Sequence, residues 1–159
     1  MQTIISKAKA AKVLALGALC ATLVSFTTGF GGEGFEIFIN NKLVLQQFGA
    51  QTNTVKSLQL DQRFYNDQLT IKYFHCGKTG KDRTIMLKDD KNNVLKQWHF
   101  ADAEAANNAM TCKVKDILDL QKKNGSTTIN LFYSSSELPK GRLLVTVITG
   151  DNKLSNLRF

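Results

Sequence analysis

The stretch LTIKYFHCGKTGKDR, residues 69–83, decides the fold class that we assign to this chain. From residue 69 to residue 76 the side chains alternate with a period of two, which is typical of a β-strand. One side of this strand would carry Leu69, Ile71, Tyr73 and His75, and the other Thr70, Lys72, Phe74 and Cys76. Apolar residues on both sides predict an inner strand of a sheet. The two glycines and four charged residues that follow predict a surface loop.

Similar short segments lie on both sides of this strand, separated by turn residues. Asn40 and Asn41 tolerate the positive φ of a tight hairpin turn, and DDKNN at residues 89–93 predicts a second turn because its side chains can bond the local backbone. DDKNN lacks the spaced acids and distal glutamate of an EF-hand loop, so a turn is favoured over a calcium site. The other predicted strands are residues 35–39, 42–48, 55–60, 84–88, 94–100, 127–133 and 142–149, with a further short strand at 154–157.

One segment has helical spacing instead: Val114, Ile117, Leu118 and Gln121 recur at helical intervals, and Leu120 widens the apolar stripe. KKNG at residues 122–125 is typical of a helix C-terminus with a glycine cap. With Thr111 as the N-cap, these residues predict one short helix near 113–123, and a weaker helical turn is expected within 101–109. One helix among about seven to nine strands predicts a mainly β fold, an antiparallel two-sheet β-sandwich, because a parallel α/β sheet needs a helix after nearly every strand.

The N-terminus has the layout of a secretory signal. Residues 1–12 contain three lysines and no acid, and residues 13–26 form an uncharged, mostly apolar run. This run is shorter than the roughly 20 residues of a membrane-spanning helix. We therefore expect residues 1–29 to be a cleaved signal peptide and residues 30–159 to form a single β-sandwich domain outside the cytoplasm, periplasmic or secreted. A retained N-terminal anchor and lipid attachment at Cys20 are the alternatives.

The composition predicts a compact domain and argues against two kinds of partner. Of the chain, 43% is hydrophobic, which is enough to build a core. The formal net charge is +8, but three of the basic residues lie in the predicted signal and the others are scattered singly. No basic block interleaved with aromatics indicates nucleic-acid binding. Membrane contact is expected only through the N-terminal segment, if it is not cleaved.

The cysteines predict a disulfide. If Cys20 leaves with the signal, Cys76 and Cys112 remain, and an even pair in an oxidising compartment normally forms a bond. The alternatives are two free thiols or a zinc site that uses His75, Cys76, His99 and Cys112. Neither zinc-knuckle spacing nor strand geometry favours zinc, because His75 and Cys76 point to opposite faces of one strand. We predict no metal and no cofactor.

The sequence contains no nucleophile elbow, glycine-rich phosphate loop or H-E-x-x-H motif. We therefore predict a non-catalytic binding domain with an unknown protein or glycan partner, and we assign no catalytic residue. Such a domain would carry stacked aromatics on one outer face or a rim of aromatics in its loops. The alternative is a small extracytoplasmic enzyme or metal-handling domain in which His75 and His99 converge in one cleft, so enzymatic activity is left open.

Two loops, residues 77–83 and 134–142, are the candidate partner-binding segments. Each combines glycine or serine with basic residues, and loops on a rigid scaffold commonly carry recognition. The candidate contact residues are Lys78, Lys81, Arg83, Lys140 and Arg142. Their charge predicts contact with an anionic glycan or an acidic protein surface.

Overall fold

The computed structural model describes residues 32–104 and 108–149. Within these ranges the strands are β1 (Gly34–Ile39), β2 (Lys42–Phe48), β3 (Lys56–Leu60), β4 (Gln68–Phe74), β5 (Arg83–Lys88), β6 (Val94–Phe100), β7 (Ala109–Lys113), β8 (Thr128–Ser135) and β9 (Leu138–Thr149). One helix, α1 (Val114–Asn124), follows β7, and 3-10 turns lie at Gly49–Asn53 and Gln62–Phe64. The predicted signal peptide, Cys20 and the predicted strand at 154–157 lie outside the described residues.

The strands form two sheets, which confirms the predicted mainly β, two-sheet fold. The four-stranded sheet has the order β2-β1-β4-β7, and the five-stranded sheet has the order β3-β9-β8-β5-β6. β4, the strand from which the fold was inferred, pairs with β1 on one side and β7 on the other. It is therefore an inner strand, as its two apolar faces predicted. No helix in the described ranges is long and apolar enough to cross a membrane.

One strand pair departs from the predicted antiparallel pattern. β3 runs parallel to β9, with Lys56 opposite Val145 and Leu60 opposite Thr149. The chain leaves β2 in the four-stranded sheet and reaches the edge of the five-stranded sheet, where it runs in the same direction as β9. Alternation predicts which face of a strand is buried, but it carries no information about the direction of a neighbour that is far away in sequence.

Both predicted turns are confirmed. Asn40 and Asn41 have φ values of 47° and 66° between β1 and β2. Asn40 also joins this turn to β4, since its N–H donates to the Gln68 carbonyl and its Oδ1 accepts from the Gln68 N–H, both at 3.0 Å. In the DDKNN turn, the Asp89 carboxylate accepts from the backbone and the side chain of Asn93, both at 2.8 Å. The Asp89 oxygens are therefore used to form the turn.

The start of α1 differs from the prediction. The helix begins at Val114 with Lys113 as its N-cap, and no side chain caps it. Thr111, the expected N-cap, lies in β7, and its hydroxyl is 2.9 Å from the Thr70 hydroxyl of β4. Residues 101–104 contain no helical turn and Ala109–Lys113 forms β7, while residues 105–107, the middle of the expected turn, lie outside the described residues. The N-cap prediction was wrong because pairing of Thr111 with β4 overrode a weak local helical preference.

The end of α1 is as predicted. Gly125 has a φ of 62°, and its N–H donates to the carbonyls of Gln121 and Lys122. The helix covers one end of the core with a stripe of buried side chains: Val114, Ile117, Leu118 and Gln121. The core itself lies between the sheets and is formed by the inward positions of the strands. Its largest fully buried side chains include Phe35, Ile37, Ile71, Ile85, Leu131 and Tyr133.

Candidate functional site at the loop end of the sandwich

The two predicted binding loops lie against each other at one end of the sandwich. The backbone N–H of Ser136, in the β8–β9 turn, donates to the carbonyl of Lys81, in the β4–β5 loop, at 2.9 Å. The Lys81 N–H donates in return to Glu137 Oε2 at 2.9 Å. We call residues 75–82 together with residues 136–137 the loop end. Because both segments are hydrogen-bonded to each other, the loop end is one surface rather than two separate loops.

Beneath the loop end lies a cluster of aromatic side chains from both sheets. The ring centroids of Tyr73 and Tyr133 are 4.2 Å apart and nearly parallel, and those of Tyr73 and His75 are 4.8 Å apart. The hydroxyl of Tyr133 is 2.9 Å from His75 Nε2, and the hydroxyl of Ser135 is 3.3 Å from the same nitrogen. The inward alternation of β4 and β8 brings these groups together, since each strand directs every second residue to the core.

An ion pair extends the cluster towards β1 and β9. The Tyr73 hydroxyl donates to Glu33 Oε1 at 2.7 Å, and Arg142 Nη2 contacts Glu33 Oε2 at 3.0 Å. Nη1 of Arg142 is buried, with no hydrogen-bond partner in the described part of the chain. Glu33 therefore joins a strand of each sheet by accepting from both.

Burial fixes the protonation states of this cluster. It lowers the pKa of His75 and raises the pKa of Tyr133. Burial and the bond to Glu33 raise the pKa of Tyr73 as well. The Lys81 backbone N–H is the main cause of the lowered pKa of Glu137. Near neutral pH the histidine and both tyrosines are therefore neutral, and they act as hydrogen-bonding groups.

The serine and histidine at this end do not form a nucleophile and base. Ser135 is buried, at 5% exposure, so a substrate would have to displace the loop end to reach it. Neutral His75 has one acceptor nitrogen, and the Tyr133 hydroxyl is closer to Nε2 than the Ser135 hydroxyl is. Nε2 therefore lies within hydrogen-bonding distance of both hydroxyls, and the nearer one belongs to Tyr133.

The structure divides the five candidate basic residues into two groups. Lys78, Lys81 and Lys140 are exposed at or next to the loop end. Arg83 is buried instead, at 5% exposure; its Nε donates to the Ala101 carbonyl at 2.7 Å and its Nη1 to the Asn108 carbonyl at 2.8 Å. Arg142 is only partly exposed and is paired with Glu33. The expectation that Arg83 contacts a partner is corrected, because its buried charge holds two loops together, whereas partner contact by Arg142 stays a prediction.

The structure does not contain the predicted disulfide between Cys76 and Cys112. Cys112 lies in β7 opposite Leu69, at the start of β4, whereas Cys76 follows the other end of β4. Seven residues of extended chain separate these positions by roughly 20 Å, while a disulfide needs Cα atoms within about 7 Å. Cys112 is buried, its thiol contacts the Leu69 carbonyl at 3.7 Å, and burial raises its pKa to about 12. The even number of cysteines could not reveal this separation, because it results from the register in which β7 pairs with β4.

His75 and His99 do not converge in one cleft. His75 is bonded to Tyr133, which lies opposite Ile85 on the core face of the five-stranded sheet. His99 is exposed, and its Nδ1 is 3.1 Å from the hydroxyl of Thr84, on the other face of that sheet. No group of three His, Cys, Asp or Glu side chains that could hold a metal ion occurs in residues 32–104 or 108–149.

Several residues of the loop end and of the cluster beneath it were not among the candidate contact residues, namely Glu33, Tyr73, Tyr133, Ser135 and Glu137, although the last two lie in the predicted loop 134–142. Two of them carried a usable signal. Tyr73 and Tyr133 occupy the inward positions of predicted strands, and a buried tyrosine hydroxyl needs a hydrogen-bond partner. Glu33 and Glu137 gave no such signal, because their partners come from segments that are distant in sequence.

Aromatic side chains also lie on the outer face of the four-stranded sheet. The ring centroids of Phe48 and Phe74 are 5.7 Å apart, and the ammonium of Lys72 lies 5.0 Å from the centroid of the Phe38 ring. All three phenylalanines are partly exposed. The Phe48 and Phe74 rings are tilted by 39° rather than stacked, so this pair is not the stacked arrangement that was expected of a binding sandwich.

No known protein family, curated protein or solved structure matches this chain. Its function must therefore be argued from its own residues.

Proposed function

We propose that this protein is a non-catalytic, extracytoplasmic binding domain that captures an acidic protein or an anionic glycan through the exposed lysines at the loop end. The observation that carries the proposal is the pair of hydrogen bonds that joins the two basic loops into one surface. A prearranged surface loses little conformational freedom on binding, so less of its interaction energy is spent on ordering. The extracytoplasmic location rests on the basic and apolar N-terminal sequence.

Charge supports an acidic partner. Lys78, Lys81 and Lys140 are exposed, whereas Glu137 uses one carboxylate oxygen to hold Lys81. Asp82 is exposed at the loop end as well, but the three lysines outnumber it. A local excess of one charge steers an oppositely charged partner and increases its association rate, and salt weakens this effect. A catalytic role lacks comparable support, since the buried Ser135 and His75 are bonded within the cluster.

Retention on immobilised heparin tests the proposal with a defined polyanion as the probe. A variant carrying Lys78→Glu, Lys81→Glu and Lys140→Glu should elute at clearly lower salt than the parent protein. The matched control reverses three exposed lysines elsewhere, Lys42, Lys91 and Lys123, and so changes the net charge equally.

The control variant should elute at nearly the same salt concentration as the parent protein. All three proteins should melt at similar temperatures, because the altered side chains are exposed. Equal loss of retention in both triple variants would show a general charge effect and would contradict a site at the loop end.

A further inference from the structure

A groove of about 670 Å³ lies at the opposite end of the sandwich from the loop end. It is lined by residues 61–63 after β3, by one side of α1, by residues 125–127 and by Thr149 at the end of β9. β8 runs from this groove to the loop end, and its eight residues separate the two ends by roughly 23 Å. The volume falls within the range of about 300–1,000 Å³ that is usual for small-molecule sites.

Gln121 of α1 lines this groove and has one unused hydrogen-bonding atom. It is only 2% exposed, and its Nε2 contacts the carbonyls of Val147 at 3.3 Å and Thr127 at 3.4 Å. Carbonyl oxygens only accept hydrogen bonds, so the amide nitrogen must face them and the orientation of the side chain is fixed. Its Oε1 is buried, with no partner in the described residues.

The donors nearest in sequence cannot supply the missing hydrogen bond. The N–H groups of Gly125 and Ser126 donate to carbonyls of the last turn of α1. The Ser126 hydroxyl donates to the Thr128 carbonyl at 2.7 Å. A buried acceptor that its surroundings leave unpaired points to a group from outside the chain.

The rim of the groove favours a ligand with one negative charge. Arg63 and Lys122 are exposed cations, and Asp61 neutralises one of them by accepting from the Arg63 guanidinium at 2.6–3.1 Å. Leu118 adds an apolar wall. The groove therefore combines three features: the buried acceptor Oε1 of a lining residue, the apolar side chain of Leu118, and a net charge of +1 from these three rim groups.

We propose that this groove binds a hydroxylated organic monoanion of sugar-acid size. A ligand hydroxyl donates to Gln121 Oε1, and the ligand carboxylate contacts Lys122. Gln121 lines the groove beside Lys122 and Thr127, and its Oε1 is buried, so the ligand must displace neighbouring side chains to reach it. The site is independent of the proposed binding at the loop end.

Titration with D-glucuronate, followed by the ¹⁵N–¹H resonances of the Gln121 side-chain amide, tests this proposal. Glucuronate should shift these resonances in a saturable manner. D-glucose, which has the hydroxyls without the charge, and acetate, which has the charge without the hydroxyls, should bind at least about tenfold more weakly. Unmoved Gln121 resonances with glucuronate, or equal binding of glucose, would overturn the proposal.

Two variants identify the site while leaving the buried Gln121 in place. Lys122→Ala and the groove-filling Thr127→Tyr should each weaken glucuronate binding about fivefold or more. The control is Lys123→Ala, which removes a neighbouring exposed lysine that does not line the groove. If Lys123→Ala weakens binding as much as Lys122→Ala does, the contact is nonspecific and the proposed site is wrong.

Discussion

At the scale of single residues, the loop end shows how polar groups can be buried without a large cost. Tyr73 and Tyr133 stack, His75 packs against both at a tilt, and each of the three has a hydrogen-bond partner for a polar atom. A buried polar group is expensive mainly when it is left unpaired. The cluster therefore forms a rigid, uncharged layer of side chains beneath the exposed lysines.

His75 should make the stability of the domain depend on pH. Its folded pKa is below the ordinary value of 6.5 because of burial, so on acidification the unfolded chain takes up a proton before the folded chain does. Stability therefore falls as the pH drops below about 6.5. Urea unfolding at about pH 7.5 and about pH 5.5 should show a smaller loss of stability for His75→Gln than for the parent.

The matched control for this experiment is His99→Gln, which changes the exposed histidine on the other face of the sheet. It should retain the pH dependence of the parent protein. An unchanged pH dependence in His75→Gln would show that other groups cause the effect.

Gly80 should tolerate no side chain. A Cβ at this position would lie 2.9 Å from the Tyr133 hydroxyl and 3.2 Å from His75 Cδ2. Gly80→Ala should therefore lower the free energy of unfolding by about 1–3 kcal/mol, the usual cost of overpacking, as measured by urea denaturation. Gly32→Ala serves as the control, since the nearest atom to its Cβ would be 3.8 Å away. Equal stability of both variants would mean that the cluster can move to accommodate a methyl group.

At the scale of elements, local patterns predicted much of the fold. The alternation in β4 predicted an inner strand, the Asn40–Asn41 turn was found as expected, and Gly125 ends the helix. Contacts between distant segments could not be predicted in this way. The bonds of Lys81 to the β8–β9 turn, which create the candidate site, depend on the pairing of β5 with β8, two strands that are distant in sequence. The same limitation explains the incorrect disulfide.

The glycine that ends α1 should matter for its backbone conformation alone. Gly125 has a φ of 62°, and a Cβ there would meet no atom within 4 Å. Gly125→Ala should lower the free energy of unfolding by about 1 kcal/mol, and Gly125→Asn by less, because asparagine adopts left-handed conformations more readily. Chemical denaturation measures both values. Equal losses for alanine and asparagine would contradict a purely conformational cause.

At the scale of the whole molecule, β9 is the strand on which the five-stranded sheet depends. It lies between β3 and β8, and it contributes the buried residues Leu144, Val145 and Val147. A chain that ends after residue 141 should therefore fail to fold, which circular dichroism and the dispersion of amide NMR signals can check. A cooperative, dispersed fold in that truncated chain would show that β8 and β5 form a stable sheet without β9.

The parallel pair of β3 and β9 also determines when the protein can fold as it is synthesised. β3 cannot pair until β9 has been synthesised, because Lys56 lies opposite Val145, almost ninety positions later in the chain. Contacts between such distant partners slow folding, and they leave β3 unpaired on the emerging chain. A ribosome that adds roughly 5–20 residues per second would delay this pairing by several seconds or more. During that interval β3 presents an uncovered strand edge, to which another chain could attach until β9 pairs with it.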